Sequence, residues 1–168
     1  MIQVMEIKRF AYTMAGLGAL TVILGSCTQA RQTGTDIGTA IIQPQNQAKE
    51  AEAQISLRAM LRGQQAYFME NGRFTESLGD LGLGLPQETG TYHYEISLKS
   101  PPGNDQLVIV RAIAQDKTLR NHTAALGMGT GGNMTEVICQ CKQPGESIWD
   151  PKLMNGQLQC GTDSEPII

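Results

Sequence analysis

Aromatic side chains are scarce in this chain. One Trp, four Tyr and three Phe stand among 168 residues, against 19 Gly. So few large apolar groups do not fill a deep enzyme-like core; the composition points to a small core with long, glycine-rich loops. Basic charge is scarce as well. Thirteen Lys and Arg face sixteen Asp and Glu, for a net charge of −3. No basic stripe is present to neutralise phosphates, which excludes nucleic acid as a partner. Nor is there a polybasic cluster for an anionic membrane surface. No apolar run reaches the roughly 20 residues that a spanning helix needs. Histidine is limited to His93 and His122, and neither has a neighbouring Ser or acidic partner in any hydrolase order. The expectation is a protein that is not an enzyme and carries no cofactor.

What is present begins at the N-terminus. Lys8 and Arg9 precede an apolar run from Phe10 to Leu24, and Leu24-Gly25-Ser26-Cys27 closes it. The run is interrupted by Thr, Tyr and two Gly, so it fits a signal-peptide core better than a membrane span. A positive patch, a short apolar segment, small residues and a cysteine, in that order, resemble a bacterial lipoprotein signal peptide. The expectation is cleavage before Cys27 and a lipid on its sulfur. Removal of residues 1–26, with Glu6, Lys8 and Arg9, would leave 142 residues and move the net charge from −3 to −4. Attachment to the membrane would then come from acyl chains alone. Two or three chains hold firmly where one binds reversibly. The chain would lie outside the cytoplasm, on the periplasmic side or at the outer membrane and cell surface.

Residues 27–45 read as a lipid-anchored polar tether rich in Thr, Gln and Gly, with Pro44 near its end. Residues 46–168 read as one domain. Asn46 to Glu70 has helical character: Asn46 suits an N-cap, Ala is frequent, no Pro interrupts, and Asn71-Gly72 suits a left-handed stop. Ala53, Leu57, Met60, Leu61, Tyr67 and Phe68 share one face and predict the core contact. Ala48, Ile55, Ala59 and Ala66 lie on the other side, small enough to sit against a loop or another chain. At 1.5 Å per residue this helix spans about 37 Å. Thr75 is placed to cap a short turn holding Leu78, Asp80 and Leu81, which Gly79, Gly82 and Gly84 break.

Beyond Pro86 the period becomes two. Tyr92, Tyr94, Ile96 and Leu98 alternate with His93, Glu95 and Ser97, a half-buried strand with His93 on the exposed side. Pro101 to Asn104 is a turn. Gln106 to Gln115 is the strongest strand, Gly127 to Asn133 a loop, Thr135 to Cys139 a strand, and Leu158 to Cys160 a last short strand. Helix first and antiparallel sheet after it make an α+β fold.

Several motifs point to chemistry weakly. Gly127-Met128-Gly129-Thr130-Gly131-Gly132-Asn133 lacks the Gly-Lys-Ser/Thr ending of a phosphate loop and precedes a strand. Glu88, Glu95 and Asp105 are scattered. Asn121-His122-Thr123 and Asn133-Met134-Thr135 match the short glycan-acceptor pattern. Cys139, Cys141, Cys160 and His122 can be imagined around zinc, but Cys-x-Cys lacks the usual knuckle spacing and no second His follows. With Cys27 lipidated, three cysteines remain in an oxidising compartment.

The run Gln64-Gln65-Ala66-Tyr67-Phe68-Met69-Glu70-Asn71-Gly72-Arg73-Phe74-Thr75-Glu76-Ser77-Leu78-Gly79-Asp80-Leu81-Gly82-Leu83-Gly84 resembles the type IV pilin-like G/H family of cyanobacteria. Ala51-Glu52-Ala53, Tyr92-His93-Tyr94-Glu95-Ile96, Val137-Ile138-Cys139 and Cys160-Gly161 extend the likeness over residues 46 to 161. The resemblance implies a helix laid across an antiparallel sheet, with Tyr67 and Phe68 central to the contact. It also implies a C-terminal loop closed by a Cys139–Cys160 disulfide. Cys141 remains an alternative partner for Cys160, or a link between molecules. The implied partners are pilus or secretion-system proteins, or a surface met through adhesion. The N-terminus departs from the family. Typical pilins are cut after a Gly that is followed by a Phe-type residue and, four positions on, a Glu; here Glu6 lies before the basic pair.

Overall fold

The computed structural model describes residues 37–99, 106–128 and 132–167. Cys27, the apolar run before it and the Pro101–Asn104 turn lie outside the described residues. The helix α1 spans Ile37–Asn71, 35 residues and about 52 Å. It starts nine residues before the expected cap, so the last part of the predicted tether, residues 37–45, is helical. Pro44 is inside it. A proline removes one helical N–H and crowds the carbonyl four residues back. That cost is local, and extending an existing helix over Thr39 to Gln43, which has no glycine, needs no new nucleus. Asn46 is not a cap: its amide donates to the Thr118 carbonyl at 3.2 Å.

The stop signal works as read. The Gly72 N–H donates to the Phe68 carbonyl at 2.8 Å, and the Asn71 amide donates to the Tyr67 carbonyl at 2.9 Å. The following loop is held by Gln64, whose buried amide meets both backbone groups of Thr75, at 2.6 and 3.1 Å. A short 3-10 turn follows at Gly79–Leu81. The N–H of its second residue, Asp80, donates to the Ser77 hydroxyl at 3.3 Å. Thr75, the expected cap, instead accepts from the Ser77 N–H and donates to the Asp80 carboxylate.

Seven strands follow: β1 Tyr92–Lys99, β2 Leu107–Ala114, β3 His122–Met128, β4 Met134–Cys141, β5 Lys152–Met154, β6 Gln157–Gln159 and β7 Ser164–Pro166. The main sheet has the order β1-β2-β3-β4-β7, and every pairing is antiparallel. β5 and β6 form a separate hairpin. Its turn is Asn155-Gly156, both at positive φ, the turn whose twist matches that of the strands it joins. β3, β5 and β7 were not expected from the sequence, and the predicted last strand is β6, one residue earlier.

The helix covers one face of the sheet. Ala53, Leu57, Met60 and Leu61 meet Tyr92, Tyr94, Val108, Val110, Ala112, Ala124, Leu126 and Ile138, all buried. Each fully buried Leu or Met contributes about 1.5–3 kcal/mol by leaving water. Tyr67 and Phe68 are not central to this contact. Both are only half-buried; Phe68 sits at the margin of the core with its ring 4.8 Å from that of Phe74. The buried place after Leu61 belongs instead to Gln64, because the loop beyond Asn71 folds back and presents its backbone there.

Candidate interaction surface

The opposite face of the sheet belongs to the C-terminal segment. Side chains alternate along each strand, so Ile109, Arg111, Thr123, Val137, Cys139 and Cys141 point away from α1. Leu107, Ile109 and Ala125 make a small second core, on which Val137 of β4 and Leu158 of the β5–β6 hairpin rest. This patch is too small to hold 25 residues of chain by burial alone, and three other links do so.

The first is covalent. Cys139 and Cys160 form a disulfide with Cα atoms 5.8 Å apart, closing a loop of sequence separation 21. The expected pairing is therefore the observed one, and among the described residues Cys141 is the free cysteine. Its buried thiol lies 3.7 Å from the Ser147 carbonyl, and burial pushes its pKa up. A protonated, enclosed thiol is a poor nucleophile.

The second link is ionic. Arg111 is a lone charge in an otherwise apolar strand. Its guanidinium donates to both oxygens of Asp150, at 2.7 and 2.6 Å, and to the Ser97 hydroxyl at 3.1 Å. This forked geometry is the strong form of the pair. The third link is Asn121, whose side chain accepts from the Ala114 N–H and donates to the Glu146 carbonyl, each at 2.7 Å. Asn121 thus spends its amide inside the fold, although it begins one of the two glycan-acceptor patterns. Beyond these links, a Cβ on Gly161 would fall 2.3 Å from the Trp149 Cβ. Only glycine allows the chain to pass Trp149 at that distance.

The outer rim of this segment carries Trp149 and Met154, each 51% exposed. They are its large apolar side chains open to water. On this stapled segment they are the candidate points of contact with another macromolecule. Trp149 stands out in the sequence as its single Trp, but no local pattern marks it as exposed.

The residues considered for chemistry are dispersed. His122 lies under α1, fully buried, with Gln54 3.5 Å from its Nε2, on the other side of the sheet from the cysteines. Burial lowers its pKa to about 4. Two of the imagined zinc ligands are consumed by the disulfide. Among the described residues, no group of three or more His, Cys, Asp or Glu could hold a metal ion. His93 is on the outward side of β1, 3.7 Å from Glu95. A cleft of about 330 Å³ is lined by Glu76, Ser77, Gln87 and Tyr94 among others. There Glu76 accepts the Leu98 N–H and Ser77 serves Asp80, both structural duties.

A long helix on an antiparallel sheet, with a disulfide-closed C-terminal segment behind it, defines the class: an α+β head of pilin type. The family model for type IV pilin-like G and H proteins matches residues 50–161, and the chain belongs to that family. No curated protein and no solved structure matches it. The family is a structural one, and its setting is pilus-related, at the cell envelope. Among the described residues, no helix is long and apolar enough to cross a membrane.

Proposed function

We propose that this protein is a membrane-tethered, pilin-like lipoprotein that works by protein–protein contact, as an accessory to a type IV pilus or secretion system or in cell-surface adhesion. The observation that carries the reading is the Leu24-Gly25-Ser26-Cys27 run, placed behind Lys8, Arg9 and a short apolar segment. Acyl chains on Cys27 would replace the apolar helix by which pilins enter a filament. The head would stand on the membrane, on the periplasmic side or at the cell surface, free to meet partners. The family's structural character supports contact over catalysis.

Inhibition of the lipoprotein signal peptidase with globomycin should accumulate a precursor. Intact-mass measurement of the mature protein should give a chain starting at Cys27 plus two or three acyl groups. A mature protein that retains residues 1–26 ends this reading.

One observation favours a second role, that of a minor pilin built into the filament. Helix α1 begins at Ile37, close behind the apolar segment, where a pilin's continuous helix would run. That role predicts co-sedimentation with sheared filaments and dependence on the prepilin peptidase.

A further inference from the structure

The side of α1 turned away from the sheet carries a pattern that the core packing does not use. Ala48, Glu52, Ile55, Ala59, Arg62 and Ala66 fall within about 80° on the helical wheel. Ile55 is 68% exposed, Ala59 is partly exposed, and the other four are exposed. Glu52 and Arg62 have no ion-pair partner among the described residues, although Glu50, two positions from Glu52, is paired with Arg120.

The spacing is symmetrical about Leu57. Reversing the helix on that point brings Ala48 onto Ala66, Glu52 onto Arg62 and Ile55 onto Ala59, and then each of these again in the reciprocal sense. We propose that this face is an antiparallel, two-fold contact between two copies of the chain. Ile55 of each copy fills the shallow place over Ala59 of its partner. Two reciprocal Glu52–Arg62 pairs flank this centre, and the alanines at the ends let the helices come close. Self-complementarity of one patch is the requirement for a two-fold interface.

The charges select this arrangement. A parallel, in-register pair would set Glu52 against Glu52 and Arg62 against Arg62, which is repulsive. Pilin-like heads stacked side by side in one direction would therefore not use this face. The contact length, Ala48 to Ala66, is about 27 Å. That is small for a free dimer, since a stable interface buries about 800 Å² on each partner. The contact suits copies already concentrated on one surface, but it does not depend on the lipid on Cys27.

The test is photo-cross-linking in cells that express the full chain, with benzoylphenylalanine in place of Ile55. The expected product has twice the monomer mass, with the link mapped near Ala59 of the second copy. Glu52→Arg alone and Arg62→Glu alone should each lower its yield about tenfold, and the double exchange should restore it. Unchanged melting temperatures of the purified variants would separate loss of contact from loss of fold. A link to a different protein, a failure of the double exchange to restore the product, or no product from the folded chain would overturn the proposal. Globomycin sensitivity is read separately, so this result and that of the anchor test stand apart.

Discussion

The two faces of the sheet are held by different forces. On the helix side, Ala53, Leu57, Met60 and Leu61 close onto four strands by burial of apolar surface. On the other side, a core of Leu107, Ile109 and Ala125 is supplemented by one disulfide, one forked ion pair and the Asn121 bridge. Burial is spread over many atoms and responds to volume. The staples are discrete, and each can be removed singly. The helix side should therefore fail as a whole, and the C-terminal side piece by piece.

The largest expected effect comes from the helix side. Leu57→Ala should cost about 3–4 kcal/mol, from lost transfer energy and a cavity under α1. Denaturant unfolding should show one cooperative transition moved to lower midpoint. Next is Cys160→Ser, which reopens the C-terminal loop and should cost about 3 kcal/mol. Hydrogen exchange distinguishes the two. Leu57→Ala should raise exchange throughout the head, and Cys160→Ser mainly beyond Cys141. Equal changes in both regions would dissolve the distinction between the faces.

Acid should act on the helix side at similar size. His122 stays neutral in the folded protein down to about pH 4, while the unfolded chain takes up its proton near 6.5. The unfolded state therefore binds more protons between those values, and stability falls as pH drops through that window, by about 3 kcal/mol in all. Below pH 4 this contribution is flat. Replacing His122 with Gln should remove the slope between pH 6.5 and 4, measured as denaturation midpoint against pH. Asp150→Ala should cost less, about 2 kcal/mol, because Arg111 keeps Ser97 and partial access to water. Its signature is looser exchange around Trp149 with β1–β3 unchanged. Smallest is Ile55→Glu on the exposed helix side, expected within about 0.5 kcal/mol of zero for the fold.

The helix stripe and β1 were legible because each repeats its own period, 3.6 and 2, over several turns or pairs, and β2 because it is a continuous run rich in β-branched residues. The Asn71-Gly72 stop was legible because its local chemistry decides the matter. β3 was not. His122-Thr123-Ala124-Ala125-Leu126-Gly127 is buried on both faces, so no alternation marks it, and its small residues are there to let α1 and the second core come close. β7 is three residues ending in Pro166, and it exists only because the disulfide returns the chain to β4. Tyr67 and Phe68 had the right spacing for the core, but the loop carrying Phe74 and Thr75 comes back to occupy that ground. Arg111 and Asp150 are 39 residues apart, a distance at which no local pattern pairs them.

Composition and spacing by themselves determined the class of the fold, the principal helix face and the stop that ends it. They determined these because backbone periodicity and turn chemistry act between near neighbours. Only the tertiary structure decided that Cys139 and not Cys141 meets Cys160, that His122 is sealed away from the cysteines, and that Trp149 faces water. Those outcomes depend on which face of a strand a residue occupies and on what crosses it from a distant part of the chain, and the physics of that choice is packing, which has no short-range signature.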